Sequence, residues 1–375
     1  MNGSLRQRSP GTWQIRYEAP PDGSGKRKYL SKTFKGNKKN AEAEKRNILS
    51  SIDMGNFVSP DKETVAQFLQ RWLKTYVATT KRPKTLQGYE GNINRYVLPA
   101  FGWLKLQELT GSHIQALYGE LIGRGLSNTS VVQVHRIIHK ALSIAVKWGC
   151  ITRNVADAAS PPKIEKKTME TWEMETVRKF LVSAKENRYG DLYVFGILTG
   201  LRRGELSGLL WKNVDFQNHR MSIVQTLQRI TGRGLVVGEP KTKQSRRSIA
   251  LGATEIKLLH TIRGKQIERQ VACEDLWANS GYVFTQANGK PIDPDLLSKD
   301  FPKFLRKAGL PHLQLHGLRH CNASLLLSEG IHLKVVSERL GHQSILITAD
   351  LYSHVSPGLQ EEAASAVGNL LSRPE

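Results

Sequence analysis

Cysteine is scarce in this chain: Cys150, Cys273 and Cys321 are the 3 among 375 residues, odd in number, far apart and without CxxC spacing. Neither a disulfide framework nor a zinc ribbon suits such a set, so a reducing compartment is expected. No apolar run is long enough to cross a bilayer, and no charged start leads into an apolar stretch. Secretion and membrane insertion are therefore not expected. Acidic residues are few beside basic ones: 33 Asp and Glu face 55 Lys and Arg, giving a net charge of +22 and a pI near 9.9. Internal repeats and low-complexity segments are absent too.

The basic excess is spread along the chain, with +7 in 1–60, +7 in 61–165 and +8 in 166–375. It is not a basic tail on a neutral body. Such a body suits a polyanion touching every part of it, because each Lys or Arg placed on a phosphate releases condensed counterions. DNA or RNA is the leading partner. A solubility charge or an anionic membrane surface is the plainer alternative, although no long cationic amphipathic stretch stands out. An RNA-binding regulator would call for aromatic-rich strand motifs, which are missing. The length points to two or three domains.

Residues 1–60 alternate as strands do. Trp13, Ile15 and Tyr17 share one face of TWQIRYEA, PDGSG supplies a turn, KRKYLSKTF follows, and NAEAEKRNILSSIDMG, 40–55, has helical spacing and ends on Gly55. A small three-stranded sheet with one helix is predicted. Its strands carry Arg16, Lys26, Arg27, Lys28 and Lys32, which fit a groove of duplex DNA or form a solvated face.

Residues 61–160 are helical throughout. Apolar stripes run through Val65, Phe68, Leu69, Trp72, Leu73 and Tyr76; through Tyr89, Ile93, Tyr96 and Val97; through Ile114, Leu117, Tyr118 and Leu121; and through Val134, Ile137, Ile138, Leu142 and Ala145. Four or five short helices are predicted, with breaks at Pro99, Gly102, Gly111 and Gly125. These stripes are core. Outside them lie Lys81, Arg82, Lys84, Arg95, Arg136, Lys140 and Lys147, placed to let the bundle lie on a duplex backbone. SPPKIEKKT, 160–168, reads as an extended linker, and 161–170 is taken as a boundary. In 171–375 helices dominate again, with MSIVQTL, GLVVGEP and RRSIAL predicted to form one three-stranded sheet.

Four stretches of this last region gather polar groups that a core has no use for. TGLRRGEL puts Arg202 and Arg203 at a break between helices; GEPKTKQSRRSIAL places Lys241 and Lys243 in a turn between two strands; LQLHGLRHCNASLLL starts a helix with His316, Arg319 and His320; LGHQSILITADLYSHV carries His342, Tyr352 and His354. Singly, each is most simply a surface or boundary residue. His316 and His320 have the spacing of two zinc ligands on one helical face, but Gly317 stands where a metalloprotease has its glutamate and no third ligand is evident, so no metal is expected.

Together and in this order, TGLRxGEL, a turn lysine, HxLRH, LGH and a tyrosine ten residues later resemble the tyrosine recombinase family of phage-integrase type. The resemblance covers 166–375. It extends more loosely upstream, where 114–162 looks like the end of that family's core-binding domain and the N-terminal sheet like the arm-binding module of some integrases. It implies a fold in three parts: a small α+β DNA-binding domain at 1–60, an all-α core-binding bundle at 61–160 and a mainly-α catalytic domain with a small antiparallel sheet at 171–375.

Carried over residue by residue, the resemblance makes Arg202 and Arg319 the two family arginines, Lys241 the hairpin lysine, His316 the first histidine of the box and His342 the His-or-Trp position. Tyr352 becomes the nucleophile and Glu205 the acidic support of the arginine helix. Arg203, Lys243 and Arg246 fall to the DNA backbone. Two arginine forks can clamp the non-bridging oxygens of one phosphate, which a point charge cannot. A phenol with a pKa of about 10 needs their field and a base to ionise, and His316 is that base; Lys241 is the acid for the departing 5′ oxygen. Neither metal nor ATP is implied, since side-chain cations take the metal's place. The implied partners are double-stranded DNA, three further subunits in a tetramer, and a host DNA-bending protein and excision factor. The implied compartment is the bacterial cytoplasm, at the nucleoid. A type IB topoisomerase and a catalytically lost DNA-binding relative remain alternatives. GLQEEAASAVGNLL, after Tyr352, is predicted to dock on a neighbouring subunit.

Overall fold

The computed structural model describes residues 3–19, 28–54, 57–165, 170–240, 243–352 and 365. The chain divides into two units, Met1–Lys166 and Lys167–Glu375.

In the first unit, strands β1 (Gly3–Ser9), β2 (Thr12–Ala19) and β3 (Lys28–Lys35) form an antiparallel sheet in that order. Period-two alternation buries Ile15 and Tyr17 against helix α1 (Lys38–Asp53), whose Ile52 closes the small core. Asn37 caps α1, accepting from Asn40 N, so the helix starts two residues before the predicted Asn40. The predicted stop at Gly55 lies outside the described residues.

The helical part begins with α2 (Val65–Trp72), held at its start by a reciprocal box in which Thr64 Oγ1 accepts from Gln67 N and Gln67 Oε1 from Thr64 N. A π-turn, Leu73–Val77, follows. Helix α3 (Pro83–Asn92) runs without a break into a second π-turn, Ile93–Val97, and then into Leu98–Phe101, so Pro99 does not end the helix; the π-turn, with Leu98 N on Ile93 O, precedes the residue that has no N–H to give. Gly111 stands at its predicted break, where Thr110 caps a new helix, α4 (Gly111–Gly123). Helix α5 (Asn128–Lys147) completes the bundle, and the predicted stripes form its core, Trp72 and Phe68 being fully buried.

The second unit is mainly helical. It holds α6 (Met174–Ala184), α7 (Gly190–Thr199), the short α8 (Arg203–Ser207), then β4 (Val214–Asp215), β5 (Arg220–Ile223), β6 (Thr226–Ile230), β7 (Gly234–Gly238) and β8 (Arg247–Ala250). After them come α9 (Ala253–Cys273), α10 (Pro294–Lys307), α11 (Gly317–Ser328), α12 (Leu333–Leu340) and α13 (Ile345–Tyr352). Its core packs Phe180, Tyr193, Phe195, Phe301 and Phe304 between α6, α7 and α10.

The predicted single sheet is corrected: the described residues of this unit form two sheets, β4–β5–β8 and the hairpin β6–β7. MSIVQTL splits between them at Val224 and Gln225, where Val224 turns outward, 43 % exposed, and Gln225 Nε2 bonds Gly208 O at 2.9 Å. Strands β7 and β8 thus belong to different sheets and are not paired with each other, so the backbone of Lys243 lies between strands of different sheets, while Lys241 lies outside the described residues. No helix among the described residues is long and apolar enough to cross a membrane.

Candidate active site

Helix α7 stops at Gly200, which has a left-handed φ of 65°. A Cβ there would lie 2.3 Å from Leu340 Cδ2 and 2.7 Å from Asn322 Oδ1, so conformation and space both require glycine. This stop aims the next residues, Arg202 and α8, at the turn after α12. Arg202 Nη1 donates to Glu205 Oε1 at 2.8 Å, its backbone N to Glu205 Oε2 at 3.0 Å, and its Nη2 to Gly341 O at 2.7 Å.

Arg319, in the first turn of α11, ties the same elements from the other side. Its Nη1 donates to Gly200 O at 2.8 Å and its Nη2 to Leu340 O at 2.7 Å. The residue is 2 % exposed, whereas the Arg202 side chain is 33 % exposed and presents the open face of the pair. Each guanidinium has five N–H donors, of which these bonds to protein use a minority, so both retain donors for an anion. Asn322 Nδ2 caps the end of α7 through Ile197 O and Leu198 O at 2.9 and 3.0 Å.

His342 lies in the turn after Gly341, and its Nδ1 is 2.7 Å from the Oγ1 of Thr348, a buried residue of α13. His316 precedes the first residue of α11 and makes no capping bond, its ring edge-on to His320 with centroids 5.0 Å apart. The predicted pair of imidazoles on one helical side is therefore present. Among the described residues no group of three His, Cys, Asp or Glu is placed to hold a metal ion.

The field here is strongly positive. Desolvation, then the charges of His320, Arg319 and Arg202, lower His316 to about 4. His316 keeps solvent access at the surface, which limits desolvation and leaves the cations as the firmer cause. Burial and the same arginines lower His342 to about 3. Burial pushes Arg319 down to about 9, still charged at neutral pH. Burial alone would raise the Glu205 carboxyl, but Arg247 and then Arg202 outweigh it and hold it below the usual range. At neutral pH the cluster thus holds cationic forks, an anionic support and neutral imidazoles: donors for an anion and bases for a proton.

Of the sequence-derived set, Arg202, Glu205, Arg319, His316 and His342 are gathered by α8, α11 and the turn after α12. Lys241 lies outside the described residues, as does His354. Tyr352 is the last residue of α13, and its side chain is not among those described. Arg203 turns away from the pair, its Nη1 2.6 Å from Ser298 Oγ and 3.2 Å from Asp295 Oδ1. Arg246 pairs with Glu239 at 2.8 Å, and only the backbone of Lys243 is described.

In the first unit Arg16 is exposed over the Tyr29 ring at 5.0 Å; Lys26 and Arg27 lie outside the described residues, and Lys28 is described only as the start of β3. Lys81, Arg82, Lys84 and Arg136 are exposed, and Lys140 Nζ stands 6.0 Å above Tyr76.

Three residues of the cluster escape a motif search: Arg247, Asn322 and Thr348. Period-two reading of RSIA gives a signal for the first, since it lines Arg247 up with buried Ile249. The other two hold partners far away in sequence and carry no local signal.

The family model described as Phage integrase family matches residues 170–358, half of the chain, and that described as Phage integrase, N-terminal SAM-like domain matches 64–122. The chain belongs to the phage integrase family. Membership makes it a tyrosine-type site-specific recombinase, an enzyme that breaks and rejoins DNA. This integrase is 30 % identical over 368 residues to a "Tyrosine recombinase XerC-like" protein of Caldanaerobacter subterraneus subsp. tengcongensis, covering 92 % of this chain and 93 % of the relative. It is 29 % identical over 292 residues to the ICEBs1 integrase of Bacillus subtilis, covering 77 % and 79 %. Among solved structures, Tn1549 transposon integrase in complex with a circular intermediate DNA superposes with a TM-score of 0.69 at 20 % identity, over 82 % of this chain and 100 % of that one. A lambda integrase tetramer bound to a Holliday junction gives 0.60 at 18 %, over 92 % and 94 %. The fold class is the one expected, with the sheet of the second unit divided in two.

Proposed function

We propose that this integrase cleaves one strand of its attachment site by attack of Tyr352 on a phosphodiester, with Arg202 and Arg319 holding the phosphate. The observation that carries this is the convergence of the two guanidiniums on the turn of His342: Arg202 on Gly341 O and Arg319 on Leu340 O, with Glu205 bracing Arg202. A phosphate bound there meets preorganised donors, and such donors are worth about 2.7–4 kcal/mol each to a transition state. His316, neutral in the positive field, accepts the tyrosine proton as the phosphate's negative charge raises its basicity. Lys241 protonates the 5′ oxygen as it leaves, and His342, oriented by Thr348, donates to a non-bridging oxygen.

The P–O bond to the 5′ oxygen breaks as the tyrosyl P–O bond forms, so a 3′-phosphotyrosine keeps the backbone bond energy. A 5′ hydroxyl of a partner strand then displaces the tyrosine and reseals the DNA. Repeated by four subunits on two duplexes, the exchange integrates, and in reverse excises, a phage or mobile element in the bacterial cytoplasm. The likeness to a lambda integrase solved as a tetramer on a junction supports that stoichiometry. So do the neighbouring apolar side chains Ile345, Leu346 and Ile347, which α13 leaves 44 %, 70 % and 40 % exposed.

On this reading residues 1–60 bind arm-type sites, the bundle at 61–160 binds core-type sites through Arg136, Lys140 and Lys81–Lys84, and 171–375 does the chemistry after a linker at 161–170. A host bending protein and an excision factor set the geometry and direction. The segment after Tyr352 docks on a neighbouring subunit. The test is incubation with nicked duplexes carrying candidate attachment sequences, followed by denaturing gels. A detergent-resistant adduct that Tyr352→Phe abolishes is expected; an adduct that survives this substitution refutes the assignment.

A further inference from the structure

Arg247 lies in the second of the four polar stretches without being among its predicted active groups, yet it binds Glu205 of the first and runs against Gly341 of the fourth. It opens β8, six residues after Lys241. Its side chain is 7 % exposed, and its Nη2 and Nη1 donate to Glu205 Oε2 at 3.0 Å and Oε1 at 3.3 Å. Its Nε donates to Arg339 O at 2.6 Å and its Nη1 to Ser245 O at 3.2 Å. The side chain also runs beneath the turn of His342: a Cβ on Gly341 would lie 3.0 Å from Arg247 Cδ and 3.1 Å from Nη1. Glu205, 1 % exposed, is thus held between two guanidiniums, one facing the site and one behind it.

We infer that Arg247 is a positioning residue for strand cleavage, fixing Glu205 so that Arg202 is presented to the phosphate and tying Ser245 and the start of β8 to the same anchor. This rests on the recombinase reading above. Without the rear guanidinium, both carboxylate oxygens of Glu205 fall to Arg202, which is drawn back and partly neutralised. A lysine cannot replace it, because one ammonium cannot span a bidentate carboxylate and the Arg339 carbonyl together. DNA contact is not its task, since the group is buried behind the site.

The test uses the full chain on a nicked duplex that it cleaves. Arg247→Lys should lower the single-turnover cleavage rate at saturating protein about 10- to 100-fold, the loss typical of bonds to a charged group, while the dissociation constant for DNA changes less than about threefold. In a Glu205→Gln background, Arg247→Lys should cost less than about threefold more, because both act through one ion pair. Millimolar guanidinium should restore cleavage to Arg247→Ala but not to Arg202→Ala-Arg247→Ala. Thermal melting of each variant keeps the rates to folded protein. A rate for folded Arg247→Lys equal to wild type, or a full extra loss in the Glu205→Gln background, overturns the inference alone. Failure of wild-type protein to form any Tyr352-dependent adduct overturns the recombinase reading and this inference with it.

Discussion

Replacing Arg319 with alanine removes more than a phosphate ligand. Read from the motif alone, Arg202→Ala and Arg319→Ala are equivalent: each stops cleavage and spares DNA binding. The structure separates them. Arg319 is 2 % exposed and its two terminal nitrogens satisfy Gly200 O and Leu340 O, the carbonyls that end α7 and α12. Losing two bonds from a charged group to buried acceptors costs about 1.5–3 kcal/mol each, hence about 3–6 kcal/mol together. For a unit of this size that lowers the melting temperature by about 6–24 °C. Arg202 is partly exposed, and its loss leaves Glu205 still paired with Arg247, so Arg202→Ala should melt within about 4 °C of wild type. Calorimetry on both variants, beside adduct formation well below each melting point, measures the difference. If Arg319→Ala melts within about 3 °C of wild type, the claim that Arg319 locks the ends of α7 and α12 is wrong.

Further outcomes follow from the same contacts. Gly200→Ala should destabilise the second unit by about 2 kcal/mol or more, since it adds left-handed strain to contacts at 2.3 and 2.7 Å; urea midpoints unchanged from wild type would contradict this. Thr348→Val should slow cleavage about tenfold with unchanged DNA affinity, because His342 loses the bond that orients it; equal single-turnover rates would show that Thr348 is only packing. Arg203→Ala should leave the cleavage rate within about threefold of wild type, its guanidinium being engaged with Ser298 and Asp295 instead of the paired arginines; a loss beyond a hundredfold would place it in the chemistry. With His316 at about 4 and His342 at about 3, below the unfolded value of about 6.5, the fold favours neutral rings. Above pH 6.5 neither state binds these protons and the two rings contribute no slope; from there down toward 4 and 3 the unfolded chain takes protons that the fold refuses, so their contribution to stability falls. His342→Gln should shallow that fall in urea titrations, and an unaltered slope would disprove the linkage.

Much of this was legible in the sequence because some constraints are local. The stripes through Trp72, Ile93, Leu117 and Ile138 face inward since helical period and burial coincide. Arg202 and His342 sit beside their own stop signals, Gly200 and Gly341, both left-handed, and His316 and Arg319 sit at a helix start. What was not legible depends on partners remote in the chain. Alternation in MSIVQTL runs on across Val224 and cannot show that the chain changes sheets there. Alternation in RSIA hints that Arg247 faces inward, but its partner Glu205, 42 residues earlier, is known only once the fold brings it there. Asn322 meets the end of α7 across more than a hundred residues, and only the fold makes it a cap.

The central claim is that Tyr352 becomes joined to the DNA, and the direct measurement is the chemical identity of the linked residue. Adduct trapped on a nicked attachment-site duplex is digested with nuclease and trypsin and sequenced by tandem mass spectrometry. The account predicts one nucleotide-bearing peptide, with a 3′-phosphate ester on Tyr352. A linkage on any of the other 9 of the 10 tyrosines, or through a 5′ phosphate, would contradict it.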